Sequence, residues 1–299
     1  MVNSEENFDI KNLTTFKIGG KIKNVYFPTS IEEFEKILKE NKNIKVFGNL
    51  SNTLISTDGY DGAIVLTTKM NKISISAQKV TADAGVKGPK LAQVVSEKGL
   101  SGLEFMIGFP GSIGGEVYMN ASANSQAISD TLVSAICYDC QKGIVKYSKS
   151  EMEFDYRKSR CQRENLIVLS AEFELESKNC EDIKNKMSEN LEFRKNHQPS
   201  LVLPNCGSIF RNPEGNSAGR LLDAIEAKTF KSGGARVWEN HANFIVNNDN
   251  ATSFDVLNLM YMMYTKVKES YNIELEPEIV FLGGNNEKEN ELWQRLNKK

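Results

Sequence analysis

Four of the eight residues from Gly108 to Gly115 are glycine, and the surrounding stretch, Ser101 to Asn124, is rich in Gly, Ala, Ser and Asn where a packed helix would carry bulky side chains. Such a segment has little to bury, so its backbone is the part that does the binding. Amide N–H groups at a glycine turn that leads into a helix suit a pyrophosphate. Gly48-Asn49-Leu50-Ser51-Asn52 is a second segment of this kind, following an apolar strand and carrying small polar side chains. Neither matches the Walker A pattern or the glycine spacing of a Rossmann fold. Each alone reads as a plain turn, whereas the two together, ahead of a half that carries catalytic groups, point to a nucleotide cofactor.

The chain has 299 residues, enough for two or three domains that each bury a core. Its 37 basic and 39 acidic side chains nearly balance, which excludes the electrostatic footprint of a nucleic-acid binder. No apolar run approaches the roughly 20 residues of a membrane span, and the N-terminal residues lack a basic stretch followed by an apolar one. Five cysteines, an odd number, fit reduced thiols and a cytoplasmic location. Cys137 and Cys140 have metal-ligand spacing, but no second cysteine pair follows and His197 and His241 are the only imidazoles. The alternation of Val133, Ala135 and Cys137 makes that stretch a structural strand, and no metal is expected.

Over the first eighty residues short strands alternate with one helix. Ser30-Ile31-Glu32-Glu33 is a capping box that opens an amphipathic helix through Glu40. Ile44–Phe47, Ala63–Leu66, Val80–Ala84, Thr131–Asp139, Ile144–Tyr147 and Leu166–Leu175 read as strands, and Gly88-Pro89 starts a helix that Gly99 stops. Ile183, Met187 and Leu191 mark a further helix. From about Pro199 the chain changes to a smaller unit: a helix near Ser217–Glu226, a strand at Phe244–Asn247 and a long helix from Ser253 to Tyr271. Met260, Met263 and Tyr264 stand at helical spacing and are expected in a packed core. A last strand, Ile273–Gly283, is expected to hold Glu278, and the charged end after Asn285 reads as a frayed helix.

Three segments carry reactive groups. Pro204–Pro213 places the Ser208 hydroxyl, the Arg211 guanidinium and the Asn212 amide within five residues on a turn. Phe154–Ser159, about fifty residues upstream, contributes Arg157, and Leu275–Ile279, about seventy downstream, contributes Glu278. Read bare, these are as well explained by a turn serine, a surface charge and a salt-bridge partner.

The ordered set of these segments resembles UDP-N-acetylenolpyruvoylglucosamine reductase, in the shorter of that family's two subtypes. The resemblance covers nearly the whole chain: Asn12–Gly20, Gly48–Asn52, Gly108–Ala123, Tyr156–Ser159, Gly207–Pro213, Gly233–Ala235, His241–Asn247 and Leu275–Glu278. It implies a two-lobed FAD-binding domain of the vanillyl-alcohol-oxidase type, residues 1–80 and 81–198, and a smaller α+β substrate-binding domain, residues 199–277, with the strand 278–287 able to return to the second lobe. It further implies noncovalent FAD on Gly48, Asn49, Ser51, Asn52, Gly111, Ser112, Gly114, Gly115, Asn120 and Ala121. NADPH is then the reductant, and a UDP-sugar is held by Arg211 and Asn212. Arg157, Ser208 and Glu278 take the catalytic roles: charge, proton donation and orientation of the developing enolate. By the same resemblance His241 serves packing or orientation, and a monomer with neither nucleic-acid nor membrane partners is expected. The chain departs from the family's pattern at Leu50, Ser122, Asn124, Glu226, Thr229 and Trp238. A noncatalytic flavin- or nucleotide-sugar-binding relative is the alternative, to be told apart by whether the purified protein holds FAD.

Overall fold

The structure, a computed structural model, describes residues 3–41, 43–200 and 202–297. The chain groups into two compact units, one made of residues 1–4, 25–49 and 64–194, the other of residues 5–24, 50–63 and 195–299.

The first unit is built on a five-stranded antiparallel sheet in the order Gly143–Ser148, Leu132–Asp139, Ile167–Glu174, Lys79–Asp83, Ile73–Ser76. Helices Gly88–Ser96 and Ile113–Tyr118 share a core with it around Val80, Leu91, Phe105, Val117 and Phe173. Cys137 faces that core while Cys140 is exposed. Helix Ile31–Glu40 buries Phe34 and Ile37 in a second cluster with Val65, Met70, Tyr138 and Leu169. Half of its expected capping box forms. The Ser30 hydroxyl accepts from the Glu33 N–H, but the Glu33 carboxylate accepts from the N–H and hydroxyl of Thr29, one residue earlier, because Thr29 offers it two donors at once.

The second unit carries a four-stranded antiparallel sheet in the order Asn205–Ser208, Phe244–Asn247, Ala235–Val237, Lys231–Ser232. Helices Ala218–Ala224 and Ser253–Tyr271 supply its core, with Leu221, Leu222, Met260 and Met263 enclosed. The long helix begins at a complete capping box, Thr252 with Asp255, and ends at Asn272 in the left-handed conformation.

Two expectations for the C-terminal part need correction. Of the strand expected over Ile273–Gly283, Val280–Leu282 forms a strand, in parallel with Thr53–Ile55, Pro277 makes a single antiparallel bridge to Phe210, and Glu278 lies between the two. The charged end is not frayed. Helix Glu287–Leu296 buries Leu296 in the unit's core, and its Glu289 carboxylate, almost fully enclosed, accepts from the hydroxyls of Ser56 and Ser253 at 2.7 and 2.5 Å. Two donors satisfy the buried charge and tie the helix down.

Candidate functional site

The two glycine-containing segments meet in the first unit. Gly48 ends the strand Lys45–Phe47, which pairs in parallel with the Ile64–Leu66 end of its neighbour. A Cβ at Gly48 would collide with the Ser112 hydroxyl, so the close approach requires glycine. Asn49 reaches across as well, donating its side-chain amide to the Pro110 carbonyl at 2.5 Å. The Ser112 hydroxyl is buried without a hydrogen-bond partner, and a Cβ at Gly115 would point into open space. The Ile113 and Gly114 N–H groups donate to the carbonyls of Val86 and Ala84 at 2.9 Å each, which anchors the segment to the scaffold. A buried polar orphan at Ser112 beside an open glycine at Gly115 is an arrangement that a phosphate would fit.

Arg157 is brought to the end of the same segment. It stands at φ +56°, a strained conformation for arginine, on a tight turn in which Asp155 and Lys158 exchange backbone hydrogen bonds at 3.1 Å. Asn120 holds that turn by donating to the Asp155 carbonyl, and Gln162 by donating to the carbonyls of Arg157 and Tyr118 at 2.9 Å each. The guanidinium donates to the hydroxyl and carbonyl of Ser122 at 2.8 and 3.4 Å. Ser122 stood out in the sequence only as a departure from the family's pattern, and Gln162 and the orienting role of Asn120 had no signal there beyond their polar character. Ala121 completes the turn, its N–H donating to the Glu116 carbonyl.

In the second unit Ser208 closes a strand that carries a register shift opposite Phe244–Asn247 and has Gly207 at φ +83°. That bulge re-aims the end of the strand. The next residues are stitched to the Glu278 segment, seventy positions away: the Glu278 N–H donates to the Ile209 carbonyl at 2.8 Å and the Arg211 N–H to the Glu276 carbonyl at 2.9 Å. Asn52 donates its side-chain amide to the Glu278 carbonyl at 2.9 Å, and the Ser51 carbonyl accepts from the Thr15 hydroxyl. Arg211 pairs with the Glu276 carboxylate at 3.3 Å, while its Nε is buried without a partner. The Asn212 side-chain amide oxygen, Oδ1, accepts from the Ala218 N–H at 3.0 Å, at the entry to helix Ala218–Ala224.

His241 has an orienting contact: its Nδ1 accepts from the Asn243 N–H at 3.1 Å, its ring stands edge-on to Phe244, and burial lowers its pKa. Burial, with the Glu278 carboxylate adding to it, pushes the Cys206 thiol up, so it stays a thiol beside Ser208. Among the described residues no group of three or more His, Cys, Asp or Glu could hold a metal ion, and no helix is long and apolar enough to cross a membrane.

Residues 22–146 match the FAD binding domain, and residues 198–282 match the C-terminal domain of UDP-N-acetylenolpyruvoylglucosamine reductase. A curated relative of that name from Caldicellulosiruptor saccharolyticus is 41% identical over 280 residues, covering 92% of this chain and 90% of its own. The chain belongs to the UDP-N-acetylenolpyruvoylglucosamine reductase family. The reductase of that name from Bacillus pumilus is 39% identical over 287 residues, covering 94% of each chain. The crystal structure of the reductase from Thermus caldophilus superposes with a TM-score of 0.80 at 30% identity, covering 95% of this chain and 99% of that one. The α+β architecture, an FAD-binding domain followed by the reductase family's C-terminal domain, is thereby that of the family.

The family's departures in this chain have structural counterparts. Leu50 and Glu226 keep positive φ angles of 52° and 57°, so the backbone there has the conformation that suits glycine while the residue is not glycine. Trp238 packs edge-on against Phe244 in a small cluster with Val246.

Proposed function

We propose that this chain is an FAD-dependent reductase that uses NADPH to convert UDP-N-acetylglucosamine enolpyruvate into UDP-N-acetylmuramate. The observation that carries this reading is the joining of the Ser208 strand to the Glu278 loop by the 209–278 and 211–276 backbone hydrogen bonds, which supports a shared task for the two side chains. FAD would be held without a covalent bond by Gly48, Asn49, Ser51, Asn52, Gly111, Ser112, Gly114, Gly115, Asn120 and Ala121. The unpartnered Ser112 hydroxyl and the open space at Gly115 suit it. The chemistry FAD supplies when bound is hydride for the vinyl carbon of the substrate, replenished from NADPH.

Hydride addition leaves negative charge on the carbon beside the substrate carboxylate and on the carboxylate itself. Donors fixed in advance at such a charge are worth several kcal/mol in a dry site. Arg157 meets it with positive charge, and Glu278 orients the enolate. The Ser208 hydroxyl then delivers its proton to the carbanionic carbon and completes the C–H bond. An unactivated hydroxyl can do this because the enolate is strongly basic and the hydroxyl is held in place. Arg211 and Asn212 hold the uridine diphosphate portion.

This reading assigns residues 1–80 and 81–198 to the FAD-binding lobes and residues 199–277 to the substrate; the return of 278–287 expected for the second lobe is replaced by pairing of Val280–Leu282 with Thr53–Ile55, within residues 1–80. It also takes the protein to be a cytoplasmic monomer without nucleic-acid or membrane partners, in keeping with the free thiols of Cys137, Cys140, Cys161, Cys180 and Cys206. A visible spectrum tests the activity: after loading with FAD, anaerobic NADPH should bleach the flavin bands and the enolpyruvyl substrate should restore them. A desalted protein that retains no flavin under any loading condition is instead the noncatalytic relative.

A further inference from the structure

Next to the Gly111–Gly115 segment, the Glu116 carboxyl is buried and neither of its oxygens has a hydrogen-bond partner. It occupies the notch left by two missing side chains: a Cβ at Gly88 would stand 2.5 Å from Oε1, and one at Gly111 would stand 2.9 Å from it. The carboxyl is therefore wedged between the start of helix Gly88–Ser96 and the segment that carries Ser112. A carboxylate enclosed without donors is far costlier than the neutral acid. Burial alone pushes the Glu116 carboxyl up to about 8.

The charged and titratable groups on the elements packed around Glu116 are turned to other work. Lys87 and Lys90 are exposed, Asp83 accepts from the Lys72 N–H, and Asp130 accepts from the Ala127 N–H. Glu172 pairs with Lys146, Arg160 with Glu164, and Cys161 lies against Cys137.

We propose that Glu116, held as the neutral acid, is a positioning residue for FAD, and that its ionisation draws the Gly111–Ser112 backbone toward the carboxylate and weakens the hold on the cofactor's pyrophosphate. The inference rests on the FAD reading above. As an acid, Glu116 makes no claim on the amides of the neighbouring segment. As a carboxylate it competes for them and repels a second anion held by the same backbone.

Flavin fluorescence quenching in the full-length chain tests this, with FAD titrated at several values between about pH 6.5 and pH 9. Wild-type affinity should fall about tenfold over that range, the effect of one added like charge at short range in a protein. Glu116→Gln, neutral at every pH, should bind FAD with no such dependence, and its melting curve without FAD checks that it folds. If that variant does not fold, Glu116→Met, uncharged and of similar length, carries the same expectation. A wild-type affinity that is flat with pH, or a pH dependence shared by wild type and the neutral variant, overturns the role of Glu116 and leaves the FAD reading standing. A wild type that binds no FAD at any pH overturns both.

Discussion

Asn243 pairs with Phe210 through both ends of its carboxamide, accepting from the Phe210 N–H at 3.0 Å and donating to the Phe210 carbonyl at 2.8 Å. The side chain thus takes the place of a strand partner for a buried residue two positions beyond Ser208, and His241 in turn fixes the Asn243 backbone. Asn243→Ala strands a buried donor and a buried acceptor together, at a cost of about 2–4 kcal/mol. Chemical denaturation should show that loss, and turnover should fall with it because the Ser208–Arg211 segment loses the anchor at Phe210 and keeps only its backbone bonds to Asn243, Glu276 and Glu278. A variant as stable as wild type would mean that water replaces the carboxamide.

Ser208→Ala removes the hydroxyl from the end of its strand while leaving the backbone pairing to Phe244 in place. Stopped-flow spectra should then show flavin reduction by NADPH at the wild-type rate and reoxidation by substrate slowed by about 10²–10⁴, the range of a lost proton donor. Reoxidation at an unchanged rate would remove Ser208 from the mechanism.

Glu116 predicts a pH dependence of stability as well as of cofactor binding. Its carboxyl sits at about 8 in the fold against 4.5 for the free side chain. Below pH 4.5 both folded and unfolded chains carry the proton and the group costs nothing electrostatically. As pH rises toward 8 the unfolded chain ionises first and gains solvation that the fold lacks, so stability relative to a neutral residue is lost across that window and then levels off. Glu116→Gln should therefore raise the melting temperature at pH 8 and leave it nearly unchanged at pH 4, by calorimetry without FAD. Equal shifts at the two pH values would show that packing, not charge, sets the cost.

Glu226 is exposed and holds φ +57° at the turn between helix Ala218–Ala224 and Ala227–Thr229. A non-glycine residue in the left-handed region costs about 1–2 kcal/mol, of which glycine's greater freedom in the unfolded chain returns part. Glu226→Gly should stabilise the protein by about 0.5–1 kcal/mol in urea denaturation. A destabilised variant would mean that the glutamate side chain contributes more than its backbone strain removes.

Much of this protein is legible in the amino-acid sequence alone, because the information is local. The strands around Val80, Cys137 and Val168, the capped helices at Ile31 and Ser253, and the glycine segments depend on periodicity and on hydrogen bonds between near neighbours in the chain. The ordered motifs around Arg157, Ser208 and Glu278 were visible as patterns of residue type. What only the tertiary structure decided are the interactions whose second half comes from a distant segment. Thr53–Ile55 limits the last strand to Val280–Leu282, and Ser56 with Ser253 makes a buried anchor of Glu289 in a helix whose sequence reads as solvent-exposed. Val86 and Ala84 capture two amides of the Gly-rich segment, and Ser122 receives the Arg157 guanidinium. Glu116 looks like any surface glutamate until Gly88 and Gly111 close around it. Desolvation and hydrogen-bond satisfaction depend on which groups the fold brings together, and no run of neighbouring residues contains that information.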